Sequence, residues 1–139
     1  MVIKMADCVF CKIIKKEIPS NLVYEDDKHI AFLDIGPVNP GHTLVIPKKH
    51  ASNIFDMPEN DLKELILVVK KICPAVLKGV EAHGLNVSIN NGRAAGQLVD
   101  HIHFHIIPRF NKDGFRHWPQ SKYKEGQAQE VANRIKKFL

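Results

Sequence analysis

Short apolar runs bounded by turn-forming residues recur along the chain and predict β-strands. Residues 22–25 and 29–34 are two such runs, and the polar residues 26–28 between them are typical of a hairpin. A loop at residues 36–41, rich in glycine and proline, leads into a third run. In all, the pattern predicts five strands, at residues 22–25, 29–34, 42–47, 86–90 and 101–107.

Helical periodicity begins after Pro58. We expect the helix to start there, because proline is favoured at the first position of a helix. Apolar residues then recur three and four positions apart as far as Val80, and we expect the helix to end near Gly84. Pro74 lies inside this stretch and predicts a kink or a break. A second, short helix is predicted near the end of the chain, and its apolar face carries Val131, Ile135 and Phe138.

This order of elements indicates the fold class. Strands joined by short links, with the helices set apart from them, favour an antiparallel α+β domain over parallel βαβ units. We therefore predict a five-stranded antiparallel sheet with one long and one short helix. So few helices leave part of the sheet uncovered, and dimerisation would cover it. A length of 139 residues fits a single domain at residues 1–139.

Composition and charge argue against several classes of protein. Hydrophobic residues make up 45% of the chain, but no apolar run reaches the roughly 18 residues of a membrane span. The first residues lack the features of a secretory signal, so we expect a cytoplasmic protein. The net charge of +5 comes from dispersed lysines, and no basic element is interleaved with aromatic residues. A nucleic-acid partner is therefore not expected.

The most informative segment is His101-Ile102-His103-Phe104-His105. Because side chains alternate along a strand, the three imidazoles should project from one side and the apolar residues between them into the core. Neutral imidazoles bind zinc, which would fit an open catalytic metal site. Alternatively, one imidazole attacks a phosphorus while its neighbours orient it and stabilise the phosphoryl oxygens.

A loop directly upstream of the histidines bears on this choice. Residues 90–97, Asn-Asn-Gly-Arg-Ala-Ala-Gly-Gln, lie between two predicted strands and can bring backbone N–H groups close to an anion. A catalytic metal site would need acidic partners for its histidines, and Asp100 is the only acid close to them in sequence. The loop therefore favours phosphorus chemistry.

The run from Gly96 to Ile107 contains the pattern His-φ-His-φ-His-φ-φ, where φ is apolar, and resembles the signature of the histidine-triad (HIT) superfamily. Further segments resemble its Hint-like branch. The resemblance covers roughly residues 7–119 and leaves a C-terminal extension at residues 120–139. These segments are residues 10–14, 17–19, 24–27, 31–35, 41–50 and 90–97.

The resemblance implies a homodimer that binds purine mononucleotides and hydrolyses nucleoside 5′-phosphoramidates or related nucleotidyl esters. His103 would be the nucleophile and would form a covalent nucleotidyl-histidine. His105 and His42 would contact the phosphate and help to transfer the proton. Leu98 departs from the pattern, because Hint-like proteins commonly carry a serine there. Loss of that hydroxyl removes about 1–3 kcal/mol of hydrogen bonding near the scissile bond.

The resemblance also implies a set of substrate-binding residues. Asn90 and Gln97 would bind near the phosphate and the leaving group. Asp34 would accept hydrogen bonds from the ribose hydroxyls, and Trp118 would reach the site of the partner subunit. The base pocket would be lined by Phe10, Ile13, Ile18, Phe32, Ile35 and Leu44.

Cys8 and Cys11 have the two-residue spacer of a zinc half-site. On spacing alone, metal binding and no function both remain open, while a thioredoxin-like motif would need a βαβ setting that is missing here. The resemblance implies a structural zinc ion held by Cys8, Cys11, His50 and His101, in a closed tetrahedral site without a Lewis-acid role. His101 would then anchor the metal and leave the other two histidines of the triad for chemistry.

Three alternatives to a hydrolase stay open. A nucleotide-binding regulatory module with little turnover is motivated by Leu98. A nucleotidyltransferase would pass the nucleotidyl group to a sugar phosphate, and the small single domain argues against it. A catalytic zinc enzyme centred on the triad would lose its activity on metal removal while its fold survives.

Overall fold

A computed structural model of the protein describes residues 7–139. Over that range the chain forms three α-helices, five β-strands and a short 3₁₀ turn at Arg93–Ala95. The helices are α1 (Val9–Ile14), α2 (Glu59–Gly79) and α3 (Gln127–Lys136). The strands are β1 (Leu22–Glu25), β2 (His29–Leu33), β3 (Thr43–Pro47), β4 (Gly84–Ile89) and β5 (Phe104–Arg109).

The five strands form one antiparallel sheet in the order β1-β2-β3-β5-β4. β1 and β2 form the expected hairpin. β5 lies between β3 and β4, so that His105 is opposite Leu44 on one side and Ser88 on the other. The predicted α+β class with a five-stranded antiparallel sheet is confirmed. This order places a histidine-bearing strand inside the sheet, where neighbours on both sides fix its backbone.

One face of the sheet is covered by α2. Because side chains alternate along each strand, Val45, Phe104 and Ile106 point to this face. They are buried in one cluster with Leu65 and Ile72 of the helix. Burial of each large apolar side chain contributes about 1.5–3 kcal/mol, so this cluster holds α2 on the sheet.

The opposite face carries a smaller apolar cluster beneath α1. Phe32 and Leu44 of the sheet pack there with Phe10 and Ile13 of the helix. His105 lies directly opposite Leu44 and therefore has its imidazole on this face. The candidate chemistry is thus separated by the sheet from the main core.

Helix α1 is absent from the elements that the sequence predicts. Its six residues span less than two turns, too few for an apolar periodicity to be recognised. Cys8 caps the helix, because its sulfur accepts a hydrogen bond from the N–H of Cys11 at 3.4 Å. The Cys-x-x-Cys pair therefore lies at the beginning of a helix.

Strand β5 begins at Phe104 instead of the predicted residue 101. Ahead of it the backbone leaves the ladder, and the N–H of Ile102 donates to the carbonyl oxygen of Ala51 at 2.7 Å. The alternation of faces nevertheless continues, since Ile102 is buried in the cluster under α2.

Helix α2 runs through Pro74 without the break that the sequence allows for. Proline removes one backbone hydrogen bond from a helix. Ile72 and Val76, on either side of it, are buried in the cluster under α2 and keep the helix on the sheet.

The last part of the chain lies at the surface. α3 forms as the short C-terminal helix that the sequence predicts, and none of its residues is buried. No helix within residues 7–139 has the length and apolar character needed to cross a membrane.

Candidate active site and metal centre

A cavity of about 450 Å³ lies on the sheet face that carries α1. Helix α1, the end of β2 and the segment before β5 form its walls. Most of the catalytic and base-pocket side chains that the sequence predicts lie around this cavity. Nine of them line the cavity: Phe10, Ile13, Ile18, Phe32, Asp34, Ile35, Leu44, His103 and His105.

His103 is oriented by the backbone two residues before it. Its Nδ1 lies 2.8 Å from the carbonyl oxygen of His101, so Nδ1 carries the proton and donates it to that oxygen. Phe10 packs edge-on against the imidazole, with ring centroids 5.1 Å apart. In the neutral ring Nε2 is left without a proton, and its lone pair is available as a nucleophile.

His42 and His105 form a hydrogen-bonded pair beside His103. The N–H of Val38 donates to Nδ1 of His42 at 3.1 Å, so the proton of neutral His42 is on Nε2. This Nε2–H donates to Nδ1 of His105 at 2.9 Å. The proton of His105 is consequently on its own Nε2, which is buried and has no hydrogen-bond partner among residues 7–139. Such a donor is expected to bind an incoming acceptor, for example a phosphoryl oxygen.

Burial keeps these imidazoles neutral. Burial, together with the neighbouring His103 and His42, lowers the pKa of His105 to about 4. Burial also lowers the pKa of His103, although the hydrogen bond to the His101 carbonyl raises it in part. Burial lowers the pKa of His42 in the same way, although the negative charge of Asp34 raises it in part. All three rings are therefore neutral near neutral pH, with one proton each. The hydrogen bonds that Nδ1 of His42 and Nδ1 of His105 accept agree with this charge state.

Asp34 follows β2 and faces the same cavity. One carboxylate oxygen accepts a hydrogen bond from the N–H of Gly36 at 2.8 Å, and the other lies 3.6 Å from Nε2 of His42. Within the described part of the chain, no lysine or arginine lines the cavity, and Asp34 is its one acidic residue. The cavity therefore offers little attraction to a chain of several phosphates.

The loop at residues 90–97 is held together by Gln97. Gly92 and Gly96 both have a φ of 90°, which favours glycine. The side-chain oxygen of Gln97 accepts from the N–H of Gly92 at 2.9 Å, and its nitrogen donates to two backbone carbonyls. Gln97 is thus buried beneath the loop and does not line the cavity. Asn90 is also absent from the lining and lies against Gly96.

Two further predicted positions lie at the surface. Leu98 lines the cavity, and its side chain is 77% exposed. Trp118, which the resemblance assigns to a partner subunit's site, is 90% exposed and does not line the cavity of its own chain.

Four potential metal ligands converge beside α1: Cys8, Cys11, His50 and His101. Nδ1 of His101 lies 3.5 Å from the sulfur of Cys8 and 3.6 Å from that of Cys11. Nδ1 of His50 lies 3.4 Å from the sulfur of Cys11 and 3.1 Å from Nδ1 of His101. In a tetrahedral zinc site, with bonds of about 2.3 Å to sulfur and about 2.0 Å to nitrogen, ligand atoms are about 3.3–3.8 Å apart. The cluster therefore fits a closed tetrahedral metal ion.

The other ring nitrogen of His101 supports this use. Its Nε2 lies 2.8 Å from the carbonyl oxygen of Pro47 and so carries the proton, which leaves the lone pair of Nδ1 facing the sulfurs. Burial lowers the pKa of His101 to about 4 and raises the pKa of Cys11 to about 11. The imidazole is thus ready to bind a metal, whereas the thiol must release its proton to do so.

Comparison with known proteins identifies the family. Residues 15–112 match the family model described as the HIT domain. The chain belongs to the HIT family. An uncharacterized HIT-like protein of Methanocaldococcus jannaschii is 55% identical over 107 residues, which cover 77% of this chain and 82% of that protein.

Two relatives with a named activity are also similar. A Candida albicans protein named adenosine 5′-monophosphoramidase is 48% identical over 109 residues, covering 75% of this HIT protein and 71% of the relative. An Arabidopsis thaliana protein named adenylylsulfatase is 42% identical over 107 residues, covering 77% of this chain and 54% of the relative.

Solved structures agree with the HIT fold. A HIT family protein of Bacillus subtilis has a TM-score of 0.87 and 45% identity, and the match covers 96% of this chain and 97% of that one. A histidine-triad family protein of Mycobacterium smegmatis, described as zinc-bound, has a TM-score of 0.77 and 34% identity, with 98% and 100% covered.

Sequence reasoning missed two residues that organise this HIT site. The N–H of Val38 sets the tautomer of His42, and the carbonyl of Pro47 sets that of His101. Val38 acts through its backbone N–H, a donor, and Pro47 acts through its backbone carbonyl, an acceptor. Neither group depends on the side chain, so the residue types give no signal in the sequence.

A second cavity of about 360 Å³ borders His50 and the start of α2. Lysines at its edge are already paired: Lys28 lies 3.1 Å from Glu64, and Lys49 lies 3.9 Å from Asp61. None of the three triad histidines lines this cavity, whereas His103 and His105 line the first one.

Proposed function

We propose that this HIT protein is a nucleotide-binding hydrolase that cleaves nucleoside 5′-phosphoramidates or related nucleotidyl esters through a covalent nucleotidyl-His103 intermediate. One observation carries the proposal: His103 and His105 both line the cavity, His103 has an unprotonated Nε2, and the buried Nε2–H of His105 has no partner among residues 7–139. The centroids of these two rings are 4.9 Å apart. A nucleophile beside a hydrogen-bond donor is what attack on a phosphoryl group requires.

The proposed reaction has two steps. First, Nε2 of His103 attacks the α-phosphorus of a phosphoramidate whose nitrogen is protonated. The phosphorus–nitrogen bond breaks, and ammonia leaves with the bonding electron pair. The positive charge that develops on the imidazole is stabilised by the carbonyl of His101, which accepts the Nδ1–H. The Nε2–H of His105 donates to a phosphoryl oxygen, and His42 holds His105 in this tautomer. Water then attacks the phosphorus, the bond from phosphorus to Nε2 breaks, and the proton that the water loses passes to the solvent. This step releases the nucleotide and regenerates the neutral imidazole.

The cavity supports a purine mononucleotide as the substrate. The apolar side chains of the predicted base pocket line it, and Asp34 lies at its edge with a carboxylate suited to ribose hydroxyls. The lack of lysine and arginine in the described lining favours a substrate with one phosphate over a polyphosphate. Two relatives named adenosine 5′-monophosphoramidase and adenylylsulfatase support an adenosine nucleotide whose leaving group is small.

For the remaining substrate contacts, we propose that Asn90 and Gln97 act near the phosphate through the loop that they support. The Gln97 amide fixes the loop by binding the N–H of Gly92. In this arrangement Gln97 positions the loop backbone, and the loop N–H groups are the candidates for contact with the phosphate.

We propose that the metal is zinc and that its role is structural. Cys8, Cys11, His50 and His101 fill all four positions of a tetrahedral site, so none remains open for a substrate or a water molecule. The zinc-bound relative supports the identity of the metal.

We also propose a cytoplasmic homodimer formed by a single domain with a C-terminal extension. β4 is an edge strand of the sheet and carries Val87, which is 45% exposed. Such an edge is commonly covered by a partner. A dimer would also give the exposed Trp118 a site to reach. Light scattering on the full chain tests this, with the mass of two chains as the expected result and that of one chain as the contrary one.

A second candidate function is a nucleotide-binding module with little turnover. Leu98 favours it, because this exposed leucine supplies no hydroxyl to the leaving group. Both candidates bind AMP, and only the hydrolase consumes a phosphoramidate.

The deciding experiment is turnover of adenosine 5′-phosphoramidate in water enriched in oxygen-18. The hydrolase is expected to release many AMP molecules per chain, each with one oxygen-18 atom on phosphorus. AMP binding without turnover above that of His103→Ala would support the module instead.

A further inference from the structure

The metal cluster and the cavity share one turn of helix. Phe10 lies in sequence between Cys8 and Cys11, so the turn that presents the two sulfurs also presents this ring. Phe10 is 6% exposed, and its centroid lies 5.1 Å from that of His103 and 5.5 Å from that of Phe32. The same residue is therefore part of the metal-binding turn and a wall of the cavity.

A second connection runs through His101. Its Nδ1 belongs to the metal cluster, and its carbonyl oxygen accepts the Nδ1–H of His103 at 2.8 Å. Its Nε2 is held at 2.8 Å from the carbonyl oxygen of Pro47. A metal ion that fixes the ring of His101 therefore also fixes the peptide that orients the nucleophile.

Helix α1 is too short to be stable by itself, and it depends on contacts with the rest of the fold. It has six residues and no acidic side chain in its first turn, and its N-cap is a sulfur at 3.4 Å. An isolated helix of this length is not stable in water. The residues that hold it are its buried apolar side chains and the two cysteines. An ion that joins the cysteines to His50 and His101 would add a further connection between this short turn and the rest of the fold.

We propose that metal binding and nucleotide binding are coupled, because the metal ion orders both the turn that carries Phe10 and the peptide that orients His103. This inference rests on the proposed function, since it requires a nucleotide in the cavity and an ion in the cluster. Phe10 acts here as a positioning residue. Coupling between two sites is reciprocal, so the nucleotide must tighten zinc binding by the factor by which zinc tightens nucleotide binding.

The test measures zinc affinity, not turnover. The full, zinc-loaded chain is titrated with a chelating dye in the absence of AMP and at a fixed multiple of the AMP Kd. We expect AMP to raise the zinc affinity about 5- to 150-fold, the range typical of coupled sites. An unchanged zinc affinity, with AMP bound, would overturn the inference and leave the proposed function intact. Failure of AMP to bind the zinc-loaded chain would overturn both.

Variants separate local coupling from global stabilisation. AMP would also raise zinc affinity if the metal-free chain simply unfolded, and that effect depends only on the ratio of AMP to its Kd. Phe10→Leu keeps an apolar side chain but removes the aromatic edge, so local coupling predicts a smaller factor at the same multiple of the variant's own Kd. Lys12→Ala changes the same helix outside the cavity lining and should keep the full factor. Equal factors in all three proteins would contradict the inference.

Discussion

Two clusters of potential metal ligands in this molecule each contain two histidines but differ in chemistry. One contains Cys8, Cys11, His50 and His101, and the other contains Asp34, His42 and His105; within each, the candidate ligand atoms lie within 4.8 Å of one another. The first cluster directs lone pairs at a common point. The second has a proton between Nε2 of His42 and Nδ1 of His105.

The difference comes from the backbone group that faces the far nitrogen of one ring. A carbonyl oxygen from Pro47 draws the proton of His101 to Nε2 and frees Nδ1 for a metal. An N–H from Val38 occupies the lone pair of His42 Nδ1 and leaves the proton on Nε2. A metal ion on Nε2 of His42 would force two donors to face each other. The second cluster is therefore suited to phosphoryl chemistry and unsuited to a metal.

The largest effect is expected when the second cluster loses the nucleophile beside it. His103→Ala should lower kcat/KM for adenosine 5′-phosphoramidate by at least about 10³-fold, because it removes the nitrogen that attacks phosphorus in the proposed reaction. Steady-state release of AMP measures it. His83→Ala is the matched control, since His83 is an exposed histidine outside the cavity. If kcat/KM of His103→Ala fell by less than about tenfold, the assignment of phosphoryl chemistry to the second cluster would be wrong.

A substitution in the metal cluster should change metal content and stability. Cys11→Ser is expected to reduce zinc from one ion per chain to a small fraction of that, and to lower the free energy of unfolding by about 3 kcal/mol or more. Elemental analysis and denaturant titration measure the two changes. Cys73→Ser, which alters a partly buried cysteine of α2, should keep its zinc. Equal zinc content in both variants would contradict the assignment of the ligands.

The pH profile sharpens the account of the second cluster. Protonation removes the lone pair of His103, so kcat/KM falls as the pH falls through its pKa, by about tenfold per pH unit. Burial lowers that pKa, and it lowers the pKa of His105 to about 4. The acid limb should therefore lie below the value of about 6.5 that is usual for histidine. A midpoint at or above that value would show that the rings are not held neutral by burial.

The smallest effect is expected at Leu98, beside the second cluster. Leu98→Ser supplies a hydroxyl and should raise kcat/KM for the phosphoramidate by about 5- to 150-fold, equivalent to about 1–3 kcal/mol of hydrogen bonding. Leu98→Ala removes the same apolar side chain without adding a hydroxyl. Equal rates for the serine and alanine variants would exclude hydrogen bonding as the cause of any gain.

Much of the fold follows from local patterns. The strand runs and the apolar stripe after Pro58 predict the sheet and α2, because each covers enough residues for its period to be read. The six residues of α1 are too few to show a period. This helix depends on a cap from Cys8 and on apolar packing against distant strands. The sequence also predicts the start of β5 three residues too early, because the carbonyl that accepts the N–H of Ile102 belongs to the distant residue Ala51.

In the candidate site, too, the sequence predicts some features and not others. Residue types and spacings indicate the histidines, the cysteine pair and the apolar pocket, and the structure brings most of these side chains together. The tautomers could not be predicted, because each is set by a backbone group distant in sequence. Gln97 is a further example: its amide is engaged by the loop backbone, which its residue type does not reveal.

The central claim is that the nitrogen of His103, left free by its hydrogen bond to His101, attacks phosphorus. Intact-protein mass spectrometry after rapid quenching without acid, with adenosine 5′-phosphoramidate and either wild type or His105→Ala, tests it most directly. The account predicts an added mass of one adenylyl group that disappears in His103→Ala. No adduct in any variant, at saturating nucleotide, would contradict it and leave the cavity as a binding site.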